Sequence, residues 1–231
     1  MNIKTIASSS SGCSYIVESG GYQLIIDCGI PLKKIRSALD HDLSKVVGCI
    51  VSHSHGDHAK YLPQLEKETT IPIFCTAGTK EKFGLKTATV WNPEGGLYNI
   101  AFQFYIKPVP LVHDVENCGF IILAGESPNV KRLLYATDTG ELNYTIPGLT
   151  HLMIEANYSF DLLVKSTSDK SMIKRVQETH LDIDQAVEFV KRHPDLEEIH
   201  LIHLSDNNSD EKLFKRMVQD VCGIPVHIAG K

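Results

Sequence analysis

Residues 51–59, VSHSHGDHA, place three histidines and an aspartate within six positions, directly after the apolar run VVGCIV. At a period of two, His53, His55 and Asp57 share one side of an extended chain, and His58 swings in from the turn that follows. Imidazole nitrogens and a carboxylate converging in this way suit zinc or a similar divalent ion. A merely solvated loop would not need the alternation. The His-x-His-x-Asp-His spacing is therefore read as a metal-binding segment.

Such a segment needs further ligands from distant parts of the chain, and polar residues stranded at the ends of apolar runs are the candidates. His113 follows KPVPLV and precedes Asp114, Asp138 lies in ATDTG, and His203 closes EIHLI in IHLS. His180 sits in ETHLD just before an amphipathic segment, and Glu155 ends the run THLMI. Taken singly, a histidine at a strand end reads as a hydrogen-bonded structural residue, and an aspartate before Thr-Gly as a turn former. Taken with the 53–58 cluster they become its partners. His41, His151, His193 and His200 have plainer readings: His193 can complement a helix C-terminus, and His200 alternates away from His203 on its strand.

The elements that must carry these residues are legible in outline. Strands are expected at residues 3–7, 15–18 and 22–26, the last two joined by the turn signal SGG. PLKKIRSAL has helical spacing behind a proline, and 46–51 is a buried strand leading into the histidines. HAKYLPQLEKE and TKEKFGL read as helices flanking a strand at IPIFC. Further strands are expected at 100–106, 119–123, 132–136 and 151–155. In DIDQAVEFVKRHP the residues Ile183, Ala186, Val187 and Val190 form an apolar face, Asp182 with Gln185 resembles a capping box, and Pro194 stops the helix. EIHLIHL then gives a strand and DEKLFKRMVQDV a final amphipathic helix. A strand-rich half followed by helices and strands predicts a layered α+β domain spanning residues 1–231, without internal repeats.

Composition narrows the class. The chain has 231 residues, 42% of them hydrophobic, and a net charge of −5; its pI is about 6.1. No global basic field exists, so binding of a nucleic-acid polymer must rest on a local patch. The six cysteines are scattered without a CxxC pair, which fits a reducing cytosol. The first residues carry no apolar signal segment, and no run approaches the roughly 20 apolar residues of a membrane span. A cytoplasmic protein with no membrane partner is the expectation.

With those residues in hand, the chain resembles metallo-β-lactamase-fold hydrolases over nearly its whole length. Within that superfamily it is most similar to the YycJ (WalJ) branch. The carrying segments are ASSSSGCSYIVE, IIDCGIPLKKI, VSHSHGDHAKYL, VHDVENCGF, YATDTG, MIEANYS, THLDIDQAVEFV and IHLSDNN. The resemblance implies an αββα sandwich with two divalent ions, Zn²⁺ or Mn²⁺, at one edge of its two sheets. His53, His55 and His113 would hold one ion, Asp57, His58 and His203 the other, and Asp138 would bridge them. Two ions about 3.5–4 Å apart polarise a phosphate and lower the pKa of a shared water towards ~7, and Asp57 would orient the resulting hydroxide. Asp27 would hold a ligand imidazole in its tautomer, or simply form the turn after its strand.

A likeness to tRNA 3′-end endonucleases of the tRNase Z type adds two roles: Glu155 would orient His180, and His180 would protonate the leaving oxygen. Thr179 and Asp182 depart from the residues usual on either side of that histidine. Only 24 residues separate His113 from Asp138, too few for a tRNA-clamping arm, and Val112-His113-Asp114 replaces the Gly-His-Thr of thioester- and lactam-cleaving relatives. The implied activity is a nuclease, chiefly a DNA exonuclease, acting on a nucleic-acid or nucleotide phosphodiester, and relatives include homodimers. The alternatives are a phosphodiesterase of small cyclic nucleotides and a non-catalytic metal-stabilised module. Asn157 would either contact substrate or shape its loop. The SSSSG turn at residues 8–12 reads first as structural, with a phosphate cradle of backbone amides as its alternative, and Lys60 and Lys80 read as ordinary solvated charges.

Overall fold

A computed structural model describes residues 1–92 and 95–230. The first half builds a six-stranded sheet in chain order: β1 (Asn2–Ser9), β2 (Gly12–Ser19), β3 (Tyr22–Ile26), β4 (Val46–Ile50), β5 (Ile73–Cys75) and β6 (Thr89–Val90). The β1–β2–β3 meander is antiparallel, and from β3 onward the pairing is parallel. Parallel neighbours need crossovers, which α1 (Leu32–Ala38), α2 (Gly56–Ala59), α3 (Leu62–Glu68) and α4 (Ala77–Phe83) supply. The second sheet runs β13-β12-β11-β10-β9-β8-β7, from β7 (Tyr98–Ile100), β8 (Phe104–Leu111), β9 (Asn117–Ala124), β10 (Lys131–Ala136), β11 (His151–Glu155), β12 (Glu198–Ile202) and β13 (Val226–Ile228). Strands β10 to β13 are mutually parallel.

Alternation along the strands sorts the core into layers. Tyr15, Leu24, Ile26 and Ile50 of the first sheet face Phe104, Phe120, Tyr135 and Met153 of the second across one apolar interface. Ile16, Ile25 and Cys49 point the other way, onto Ile35, Leu62 and Leu65 of α1 and α3. Leu152, Ile154, Ile199 and Leu201 point away from the first sheet, onto α7 (Ile183–Lys191) and α8 (Glu211–Cys222). Helix, sheet, sheet, helix is the resulting order, the expected αββα sandwich. Among the described residues no helix is long and apolar enough to cross a membrane.

Asp182 caps α7 in a full capping box with Gln185, as its spacing predicts. Three local readings change. The 100–106 segment is not one strand: β7 ends at Ile100, Ala101 and Phe102 take φ of 53° and 56°, and β8 begins at Phe104. Its apolar residues belong to two arms of a hairpin. HAKYLPQLEKE is broken between α2 and α3 at residues 60–61, just before Pro63 in the first turn of α3. The segment following β11, left unassigned by periodicity, holds α5 (Phe160–Ser166) and α6 (Lys170–Thr179), packed on each other through Leu163, Ile173 and Val176.

Candidate metal centre

All but one of the sequence-nominated site residues emerge at or just beyond the C-terminal end of a strand: Asp27 after β3, residues 53–58 after β4, His113 after β8, Asp138 after β10, Glu155 at the end of β11 and His203 after β12. His180 is the exception, the residue that ends helix α6. Asp27, Asp138 and His203 take φ of 60°, 51° and 53°. This left-handed conformation is costly for residues with a Cβ. Three such residues converging on one place mark a site held by its surroundings.

The 51–59 segment is not extended throughout. His53 makes a single bridge to Asn117, and Gly56–Ala59 then coils into the one-turn helix α2. Asp57 therefore reaches the cluster from a helix rather than from strand alternation with His53 and His55, and His58 swings in from that same helical turn. Gly29 allows α2 to sit so close: a Cβ there would lie 1.6 Å from the Asp57 carbonyl oxygen.

All seven nominated ligands come together in two overlapping sets. His53, His55, His113 and Asp138 form one, and Asp57, His58, Asp138 and His203 the other; within each set the donor atoms lie within 4.8 Å of one another. Asp138 belongs to both. Its Oδ2 stands 3.4 Å from Nε2 of both His53 and His58 and 3.9 Å from Nε2 of His113. The opposite ring nitrogens are occupied by the protein: His58 Nδ1 donates to Asp27 Oδ2 at 2.7 Å, His113 Nδ1 to the Thr179 carbonyl at 3.1 Å, and His53 Nδ1 lies 3.0 Å from Ser52 Oγ. That arrangement turns the three Nε2 atoms inward. His53 Nε2 and His58 Nε2 are buried and make no hydrogen bond, a costly state for a polar atom unless a ligand completes it. Burial, reinforced by His58, pushes the His53 imidazole down to about 4, which leaves it neutral with a lone pair to give. The donor set fits divalent ions of the zinc or manganese type.

A second tier holds these ligands. Asp27 is fully buried and accepts from Ser52 N at 2.8 Å, Tyr135 OH at 2.5 Å and His58 Nδ1. Glu155 is also fully buried; its Oε2 accepts from Thr139 N and Leu181 N, and its Oε1 lies 2.7 Å from His180 Nδ1 and 3.0 Å from His203 Nδ1. Burial works against charge on His180, yet the Glu155 carboxylate outweighs it and raises the imidazole above its ordinary value. His180 lines a cleft of about 490 Å³ together with Asp57, His113, Asp138 and His203, and α6 contributes Met172 and Arg175 to its wall.

Several further residues surround the ligands. Ser8 Oγ accepts from His203 N at 2.9 Å, so the serine run supports the site through a side chain as well as through its turn. Cys13 is buried with its Sγ beside His58 and His203. Asp114 Oδ1 stands 3.2 Å from His55 Nε2 and 3.3 Å from His113 Nε2. Asn157 shapes its loop, donating from Nδ2 to the His203 carbonyl, and it also borders the cleft. Lys80 is turned to the Ala88 carbonyl. Asn157, Lys80 and the serine run were already singled out in the sequence and Asp114 adjoins a nominated histidine, whereas nothing local tied Cys13 to the site.

Comparison with known proteins decides the family: residues 22–204 match the model of the beta-lactamase superfamily domain. The chain belongs to the beta-lactamase superfamily. This superfamily member is 24% identical over 250 residues to the exodeoxyribonuclease YycJ of Bacillus anthracis, covering 96% of this chain and 89% of that protein. Its fold is similar to that of the metallo-β-lactamase-fold protein YhfI of Bacillus subtilis, with a TM-score of 0.77, 21% identity and 99% and 96% of the two chains covered. It is also similar to the short form of human tRNase Z, with a TM-score of 0.67, 15% identity and coverage of 100% and 97%. The protein is thus a metallo-β-lactamase-fold hydrolase with a His/Asp cluster for divalent metal.

Proposed function

We propose that residues 1–231 act as one metal-dependent phosphodiesterase, with a nuclease activity on DNA as the leading reading. His53, His55, His113 and Asp138 would hold one ion and Asp57, His58, Asp138 and His203 the other. Bound there, divalent ions supply Lewis-acid polarisation of a phosphoryl oxygen and a water acidic enough to attack at neutral pH. The chain's own part is to orient and to move protons. Asp57, the most exposed carboxylate of the second set at 20%, faces the cleft and can accept a hydrogen bond from the attacking water. Asp27 and Glu155 hold imidazole rings in place.

The observation that carries the reading is the His180–Glu155 pair. A hydrogen bond through Nδ1 to a buried carboxylate leaves Nε2 of a raised-pKa imidazole to give a proton to the leaving oxygen. A site that only stored metal would not need such a donor. The similarity to an exodeoxyribonuclease supports the substrate class. A small cyclic diester is the second reading, favoured by the cleft itself: among its described lining residues, Arg175 is the one lysine or arginine.

Replacing His180 tests the assignment. His180→Ala should retain the metal content of the parent protein and slow a nucleic-acid substrate by ~10²–10⁴-fold. A nitrophenyl phosphodiester, whose leaving group needs little protonation, should be largely spared. Loss of metal from the variant, or equal slowing of both substrates, would make His180 a ligand or a substrate-binding residue instead.

A further inference from the structure

At the opposite ends of β11 and β12, remote from the cleft, a second histidine cluster surrounds one carboxylate. His200 and His227 are register partners on β12 and β13, their rings stacked with centroids 4.8 Å apart, and His151 is the register partner of Glu198. Three Nε2 atoms approach the Glu198 carboxylate: His200 at 2.7 Å and His227 at 3.6 Å from Oε1, and His151 at 3.8 Å from Oε2. We propose that Glu198, His200 and His227 bind one further divalent ion of the zinc class, which fastens the C-terminal strand β13 to β12.

Donor atoms of the three residues lie within 4.8 Å of one another. Tetrahedral zinc with bonds near 2.0–2.1 Å separates its ligand atoms by about 3.3–3.4 Å, so the His227 distance already approaches that edge. Glu198 and His200 need part only by several tenths of an ångström. Two imidazoles and one carboxylate, with a position left for water, suit zinc better than calcium or magnesium. The site is half built into the protein: the His200 side chain is 7% exposed, whereas that of His227 is 51% exposed and gives ions a way in. Burial holds His151 and His200 below the ordinary imidazole value, hence uncharged at neutral pH. His151 would steady the carboxylate through its second oxygen. Such a clip has a purpose, because β13 is a three-residue edge strand. The distance from the hydrolytic site follows from strand geometry: His203 lies three residue steps beyond His200, roughly 10 Å along the chain.

The test compares untagged full-length protein with His227→Gln, a change at a half-exposed position that leaves the core and the cleft intact. After equilibrium dialysis against saturating zinc, the parent should hold one ion per chain more than the variant. With the cleft sites already loaded in both proteins, adding zinc to ten times the dissociation constant of the extra site should raise the parent's Tm by about 3–6 °C more than the variant's. Turnover of the two metal-loaded proteins should be equal. Identical zinc counts in parent and variant would overturn the proposal, and so would an extra ion that survives both His227→Gln and Glu198→Gln. Because the readout is a difference between two proteins, it stands whether or not the cleft holds two ions.

Discussion

Asp27 never faces the cleft, yet the position of His58 depends on it. Its carboxylate fixes His58 Nδ1–H from a fully buried position, with Ser52 and Tyr135 filling its remaining acceptor capacity. Asp27→Asn keeps the shape and removes the charge, so chelator competition should report metal binding weaker by about 10–100-fold in the set containing His58. Unchanged affinity would reduce Asp27 to a turn former. His180 makes a pH prediction. Its folded-state pKa is raised, so the protonated donor persists above the ordinary imidazole value of about 6.5 and is lost as pH climbs through the raised one. The alkaline limb of kcat should therefore fall above 6.5 and disappear in His180→Ala; a limb retained in that variant belongs to another group. At this scale the sequence was most informative, because ligand chemistry restricts residue type and the 53–58 spacing is local. The hydroxyls of Ser8 and Tyr135 were not legible. Each reaches the site from a strand far away in sequence, and no local spacing announces it.

Elements set the angles at which those residues arrive. Helix α2 carries Asp57 and His58 and lies against the chain leaving β3, where Cys28 N donates to the His58 carbonyl at 2.7 Å and Gly29 has no room for a side chain. Gly29→Ala must push α2 outward, because the clash is with backbone. It should destabilise the fold by about 1–3 kcal/mol and lower metal content, read by thermal melting and elemental analysis. A variant with parental Tm and parental metal would contradict this placement. Helix α6 forms the far wall of the cleft and presents Arg175. Arg175→Ala should raise KM for an anionic diester with little change in kcat, since a wall cation binds ground and transition states alike. The capping box made α7 readable from sequence. α5 and α6 escaped because Leu163, Ile173 and Val176 are few and widely spaced, their partner being the other short helix rather than the main core. The β7–β8 hairpin was misread as one strand for the converse reason: its turn residues Ala101 and Phe102 lack glycine's freedom yet take left-handed φ.

The whole molecule explains why so scattered a set of ligands converges. Two sheets share one apolar interface, and the site residues other than His180 lie at the C-terminal ends of β3, β4, β8, β10, β11 and β12. Closing that interface brings chain positions 27 and 203 to the same place without a dedicated loop. The four-layer order was legible from the resemblance, whereas composition supported no more than a layered α+β class. Charge enters at this scale too. With a net charge of −5, the protein lacks a general attraction for polyanions, so the proposed DNA substrate would be held at the few phosphates near Arg175 and the metal site. Its binding should weaken as salt rises, with a log–log slope of about −0.9 for each phosphate neutralised, while a cyclic mononucleotide should show a smaller salt dependence. The most direct measurement is turnover by the zinc- or manganese-loaded protein of linear DNA, RNA, a cyclic mononucleotide, a glutathione thioester and a β-lactam, assayed side by side. A phosphodiester, with linear DNA foremost, should be hydrolysed while the thioester and the lactam are left essentially intact. Thioester or lactam hydrolysis well above that of every diester would contradict the account.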